Sequence, residues 1–175
     1  MASYTLYEAS ILVAQDVLNS LSAILSKAES SSQAASIPKA SIHPDMLPFS
    51  FQVHITTQTI AKMVARLTGK DPVEMENNLE SFDAMKARVA EVQKQLQGAS
   101  RDAVNARENE NVPVGLGKGK PDGKLKSWEY VHGYAVPNIY FHLTTAYDIA
   151  RKEGVDIGKM DYLSPFMGKF LAGQF

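Results

Sequence analysis

The stretch from Tyr4 to Ala28, YTLYEASILVAQDVLNSLSAILSKA, decides the fold class. Tyr4, Tyr7, Ile11, Ala14, Leu18, Leu21 and Leu25 follow one another in steps of three and four, which lines them along one side of a helix. Val13, Val17, Ile24 and Ala28 form a second apolar stripe beside the first. A face that wide belongs to a helix packed on two neighbours.

Working outward, the Ser/Ala-rich run 29–41 with Pro38 reads as a mobile connection. Pro44 and Pro48 exclude regular helix from 43–48. A second helix is expected from about Pro48 to Leu67, with Phe49, Val53, Ile60, Val64 and Leu67 as its apolar line and Gly69 as its stop. Asp71–Glu74 suggests a short capped turn. A third helix carries Leu79, Phe82, Met85, Val89, Val92 and Leu96 and closes at Gly98, and Arg101–Arg107 adds a turn. Asp122-Gly123 is a hairpin dipeptide between two short strands, Val112–Leu116 and Lys124–Ser127. Lys118, Lys120, Lys124 and Lys126 read as protection of its edge. A fourth helix starts after Ser127 as N-cap, runs to about Glu153 with a kink at Pro137, and ends at Gly154. The expected fold is all-α: a four-helix bundle with a small β-hairpin between helices 3 and 4. The chain, 1–175, is expected to form one domain, its apolar tail 155–175 packing on the bundle or on a partner subunit.

Composition narrows the function. Eighteen Lys+Arg against nineteen Asp+Glu leave a net charge of -1, which argues against a nucleic-acid binder. There is no cysteine, so disulfides, thiolate nucleophiles and Cys-built zinc sites are excluded. No basic n-region opens the chain, and no stretch reads as the ~20 apolar residues of a membrane span. A soluble cytoplasmic protein is the default reading. Gly115, Gly117 and Gly119 lack the strand-to-helix setting of a phosphate loop.

Chemistry is sought where polar residues interrupt the apolar seams. In the fourth helix Val131, Ala135, Asn138, His142, Thr145 and Ile149 share a seam, and three successive positions are polar. In the second helix Ser50, His54, Gln58, Ala61 and Ala65 make a small-and-polar stripe. If that stripe faces the fourth helix, His54, Gln58, Asn138 and His142 meet across the bundle, and the alanines leave room for a ligand. The alternative is a polar network that only fixes helix register. His132 and His142 stand ~15 Å apart along a helix and cannot share a metal. His54 with His142 would leave only amide ligands, so no metal site and no cofactor is expected. The chain is rich in tyrosine, and periodicity does not choose among these residues as pocket walls. Tyr134 is put forward with Gln58 and Thr145 as ligand contacts.

Several segments together resemble a known family: Leu6-Tyr7-Glu8-Ala9-Ser10, His43-Pro44-Asp45-Met46-Leu47-Pro48, Ala65-Arg66-Leu67-Thr68-Gly69, and above all Ala135-Val136-Pro137-Asn138-Ile139-Tyr140-Phe141-His142-Leu143-Thr144-Thr145-Ala146-Tyr147, followed by Gly154 to Leu163. The chain resembles the domain-of-unknown-function family numbered nineteen ninety-three, which is similar to the DinB/YfiT-like helical bundles. The resemblance implies an up-down-down-up topology, frequent dimers, and a metal site of three histidines: one from helix 2 and an i, i+4 pair from the last helix. His142 matches the second member of that pair, Asn138 stands in place of the first, and His54 lies near the helix 2 position.

The functional expectation is a small-molecule pocket in which His142 is the acid/base, Asn138 orients the substrate or donates to an oxyanion, and His54 completes the catalytic set. Such a site suits cofactor-independent isomerisation, dehydration or cyclisation. A degenerate DinB-like metal enzyme and a non-catalytic oligomeric binding protein are the alternatives. A homodimer is expected, without nucleic-acid or membrane partners.

Overall fold

The apolar side of the first long helix is enclosed along almost its whole length. In the computed structural model, which describes residues 4–115 and 123–172, Ile11, Ala14, Val17, Leu18, Leu21, Ile24, Leu25 and Ala28 are buried, and only Tyr4 stands out in solvent. A π-turn, Glu8–Leu12, leads into helix α1, Val13–Glu29. The 22-residue run Glu8–Glu29 is in fact apolar and long enough to cross a membrane by composition alone. Its burial against neighbouring helices identifies it as a core helix.

The connection to helix α2, Phe49–Leu67, is ordered rather than mobile. Successive turns from Ser31 to Ser36 hand over to a short 3-10 turn, Ile37–Lys39, which buries Ile37 and Pro38. Pro48 sits at the N-cap of α2, and Gly69 leaves the helix with a positive φ of 74°. Residues 70–80 run without regular structure, so the capped turn expected at Asp71–Glu74 is not formed. Helix α3, Phe82–Gln97, is capped by Ser81, whose side chain accepts from the Ala84 N–H, and it ends at Gly98. The short helix α4 spans Arg101–Ala106.

Strands β1, Asn111–Val114, and β2, Gly123–Lys126, pair antiparallel with Val112 opposite Leu125. The tip of this hairpin lies outside the described residues, and with it Leu116, Gly117, Lys118, Gly119, Lys120 and Asp122 of the sequence expectations. Helix α5, Ser127–Tyr130, a π-turn, Val131–Ala135, and helix α6, Val136–Lys152, run on without a break. Ser127 is the first helical residue, not the cap. It is fully buried, and both its N–H and its hydroxyl donate to the Glu110 carbonyl, while Glu129 accepts from the Lys126 N–H. Pro137 lies in the first turn of α6, where the widened π-turn before it absorbs the missing donor.

Gly154, at φ 89°, ends α6, and the chain returns along α1 as helix α7, Lys159–Leu171. Tyr162 and Phe166 pack on the core. Ser20 donates to the Tyr162 carbonyl, and Lys27–Asp161 and Lys169–Asp16 pair at 2.9 and 2.5 Å. The protein is thus mainly helical with one small antiparallel sheet. Helix α1 packs on α3, α6 and α7, and α2 packs between α3 and α6.

Candidate functional site

Helices α2 and α6 run antiparallel, and side-chain hydrogen bonds about every second turn of α2 join it to α6 and its lead-in. Arg66 Nη1 donates to the Tyr130 hydroxyl at 3.2 Å, Asn138 Nδ2 to Thr59 Oγ1 at 3.2 Å, and His142 Nδ1 to Gln52 Oε1 at 2.7 Å. Two of the α2 partners, Gln52 and Thr59, share a stripe with Thr56, all three buried and spaced by four and three. That stripe, not the one through His54, faces α6.

The state of His142 follows from its neighbours. Gln52 is almost fully buried, and its Nε2 donates to the Leu47 carbonyl at 2.7 Å. A carbonyl only accepts, so the amide is fixed with its oxygen toward His142, whose Nδ1 must carry the proton. The lone pair then sits on Nε2. Burial pushes the imidazole pKa down to about 4, so the ring is neutral at pH 7 and its Nε2 is a proton acceptor.

His54 is elsewhere. It lies two residues from Gln52, ~200° around the helix, and is buried with its Nδ1 unpartnered among the described residues. Its pKa is lowered by burial and by the nearby Arg88 cation, with Glu74 opposing. Of the small-and-polar stripe, Ala61 and Ala65 line a different hollow, a groove of about 730 Å³ between α2 and α3 that also takes in Val64 and Ala99 and is crossed by residues 70–76, while His54 is not part of its lining. The expected meeting of His54 with His142 does not occur, because His142 packs on the Gln52 face of α2 and His54 points to the opposite face.

A second, smaller cleft of about 290 Å³ opens between α2, the π-turn and the end of β1. Gln58, Tyr134 and Asn138 line it together, with Thr59, Lys62, Arg66 and Tyr130. Gln58 Oε1 accepts from the Met75 N–H at 3.0 Å, and Lys62 pairs with Glu74 at 2.5 Å, so the loop after α2 is tied to the cleft wall. Tyr130 is buried and stacks on the more exposed Tyr134, centroids 5.7 Å apart. Burial raises the Tyr130 pKa, and Arg66 opposes that rise. His142 lies one turn beyond Asn138 on α6 and is not part of the cleft lining. Thr145 is buried and spends its hydroxyl on the Phe141 carbonyl of its own helix, at 2.8 Å.

Arg66, Tyr130 and Gln52 escaped the sequence reading. The 4-3 spacing of polar residues at 52, 56 and 59 inside an apolar helix was the signal for Gln52. Arg66 stands in the last turn of α2, where a cation is unremarkable in sequence.

The donors present do not make the three-histidine metal site that the family resemblance implies. His54 faces α3, His43 and His132 are exposed, and Asn138 is engaged by Thr59. Among the described residues no three His, Cys, Asp or Glu side chains gather around one point.

The pattern of a family described as "Domain of unknown function (DUF1993)" matches residues 6–163. A solved structure of a DinB family member protein from Shewanella denitrificans is similar over 90% of this chain and 91% of that chain, at 30% identity and a TM-score of 0.79. No curated protein matches the chain.

Proposed function

The chain belongs to the DUF1993 family, within the DinB-like helical proteins, and on that footing we propose that it is a small-molecule-binding four-helix bundle of α1, α2, α3 and α6 whose ligand occupies the cleft between Gln58, Tyr134 and Asn138. The observation that carries this reading is the convergence of amide, hydroxyl and guanidinium groups from both helices on one concave space. A few placed polar groups in an otherwise packed wall are what orient a small ligand. The volume suits a compound of one or two rings.

A second reading, a cofactor-independent acid/base enzyme of the isomerase, dehydratase or cyclase type, is favoured by one specific contact. Gln52 holds His142 as the Nδ1–H tautomer, which leaves a neutral Nε2 one turn from Asn138. A ligand long enough to extend from the cleft along α6 would present its proton there.

A fragment screen followed by NMR of the Gln58 and Asn138 side-chain amides tests the binding reading. Fragments should shift both amides, and Asn138→Leu, which fills the cleft, should weaken them by about tenfold while His54→Gln leaves them unchanged. Fragments that bind Asn138→Leu equally well and map to the α2–α3 groove would overturn it.

A further inference from the structure

Charge and hydrogen-bond accounting in this cleft go further and name the ligand's chemistry, an inference that rests on the binding reading above. Arg88, Arg101 and Arg107 each have a carboxylate partner, Glu91, Glu8 and Glu110, and Arg151 is held at the end of α6 by the Val155 carbonyl. Arg66 has no carboxylate within ion-pair distance among the described residues. Its Nη1 donates to the Tyr130 hydroxyl, its guanidinium carbon lies 5.2 Å from the centre of the Tyr130 ring, and its Nε is buried with no hydrogen-bond partner among the described residues. Lys62 is already neutralised by Glu74. One uncompensated guanidinium is therefore left in the wall of the cleft, and a partly buried cation without a counter-charge is costly unless something supplies one.

The neighbouring groups point the same way. Tyr130 oxygen accepts from Arg66, so its own proton is free to donate outward. Gln58 spends its oxygen on the Met75 N–H, so its NH₂ is the end left for a ligand. The acceptors of the cleft wall are the Asn138 oxygen and the Glu74 carboxylate held by Lys62, while the free polar groups of Arg66, Tyr130 and Gln58 are donors. Beside them the Tyr134 ring stacks one face on Tyr130 and is still 39% exposed, a platform for a flat ring.

We propose that the cleft selects an aromatic carboxylate, its oxygens taken by Arg66 and the Tyr130 hydroxyl and its ring laid along Tyr134. Calorimetric titration of the intact chain at pH 7 with benzoate, benzamide and inorganic phosphate tests this. Benzoate should bind at least tenfold more tightly than either other probe, and Arg66→Met should abolish its advantage over benzamide. Tyr134→Ala should weaken benzoate, while acetate, titrated as a ring-free control, binds it as it binds the wild type. Should Arg66→Met fail to fold, the wild-type comparison still decides, because benzoate and benzamide differ at a single group. Equal binding of benzamide would overturn the oxyanion assignment while leaving the cleft a binding site. Phosphate binding as well as benzoate would overturn the aromatic part. Binding of none of the three would overturn the whole inference, and the fragment screen would then decide the underlying reading on its own.

Discussion

Replacing His142 with glutamine removes the imidazole while keeping a donor for Gln52, and this isolates the proton linkage of the ring. In the folded chain burial holds the His142 pKa at about 4, and in the unfolded chain it returns to about 6.5. Between those values the unfolded chain takes up a proton that the folded chain refuses, so stability falls as pH falls through this window and levels off below it. Such a difference corresponds to about 3.4 kcal/mol for a fully enclosed group, at about 1.4 kcal/mol per pH unit. His142 is only half-buried, and solvent screening brings the figure to about 1–2 kcal/mol. Urea unfolding of both proteins at pH 7.5, 6.5, 5.5 and 4.5, followed by circular dichroism, measures it. The stability of the wild type relative to His142→Gln should drop by that amount across the series. Carboxylates and His54 titrate in both proteins and cancel in the difference. A difference that stays flat with pH would refute the claim that the fold holds this ring neutral.

Three further outcomes follow from other contacts. Gln52→Leu strands the His142 Nδ1–H, costs about 1–2 kcal/mol, and should convert the single tautomer into a mixture visible in nitrogen chemical shifts. Gly69→Ala forces a side chain into φ 74° and brings a Cβ to 2.8 Å from Arg107 Nη1; about 1–2 kcal/mol should be lost, read as a fall of several degrees in Tm. Asp16→Asn breaks the pair with Lys169 at 2.5 Å and should speed amide exchange in α7 about fivefold while the interior of α1 exchanges as before.

Much of the helical frame was legible because its signals are local. Pro48 marks a helix start by its fixed φ, Gly69 and Gly154 mark helix ends by their freedom at positive φ, Gly98 closes α3 at an ordinary φ of -79°, and the structure places the boundaries within a residue or two of all four. The π-turn at Val131–Ala135 was not legible, because its buried pair Val131 and Ala135 stands four apart, a step that an ordinary helix makes as well. Which polar side chains gather was not legible for a geometric reason. Both polar stripes of α2 obey helical spacing, and nothing local says which meets α6. The stripe's Ala61 and Ala65 border a hollow, but that hollow lies against α3 and does not include His54. Gln58 and Asn138 meet in one cleft because Gln58 lies near the boundary between the two faces of α2.

The most direct test of the account is a crystal structure of the protein soaked with the tightest fragment from the screen. The account predicts density between the Tyr134 ring and Arg66, within hydrogen-bond distance of Asn138 or Gln58. Density in the α2–α3 groove beside Arg88, with the smaller cleft left open, would contradict it.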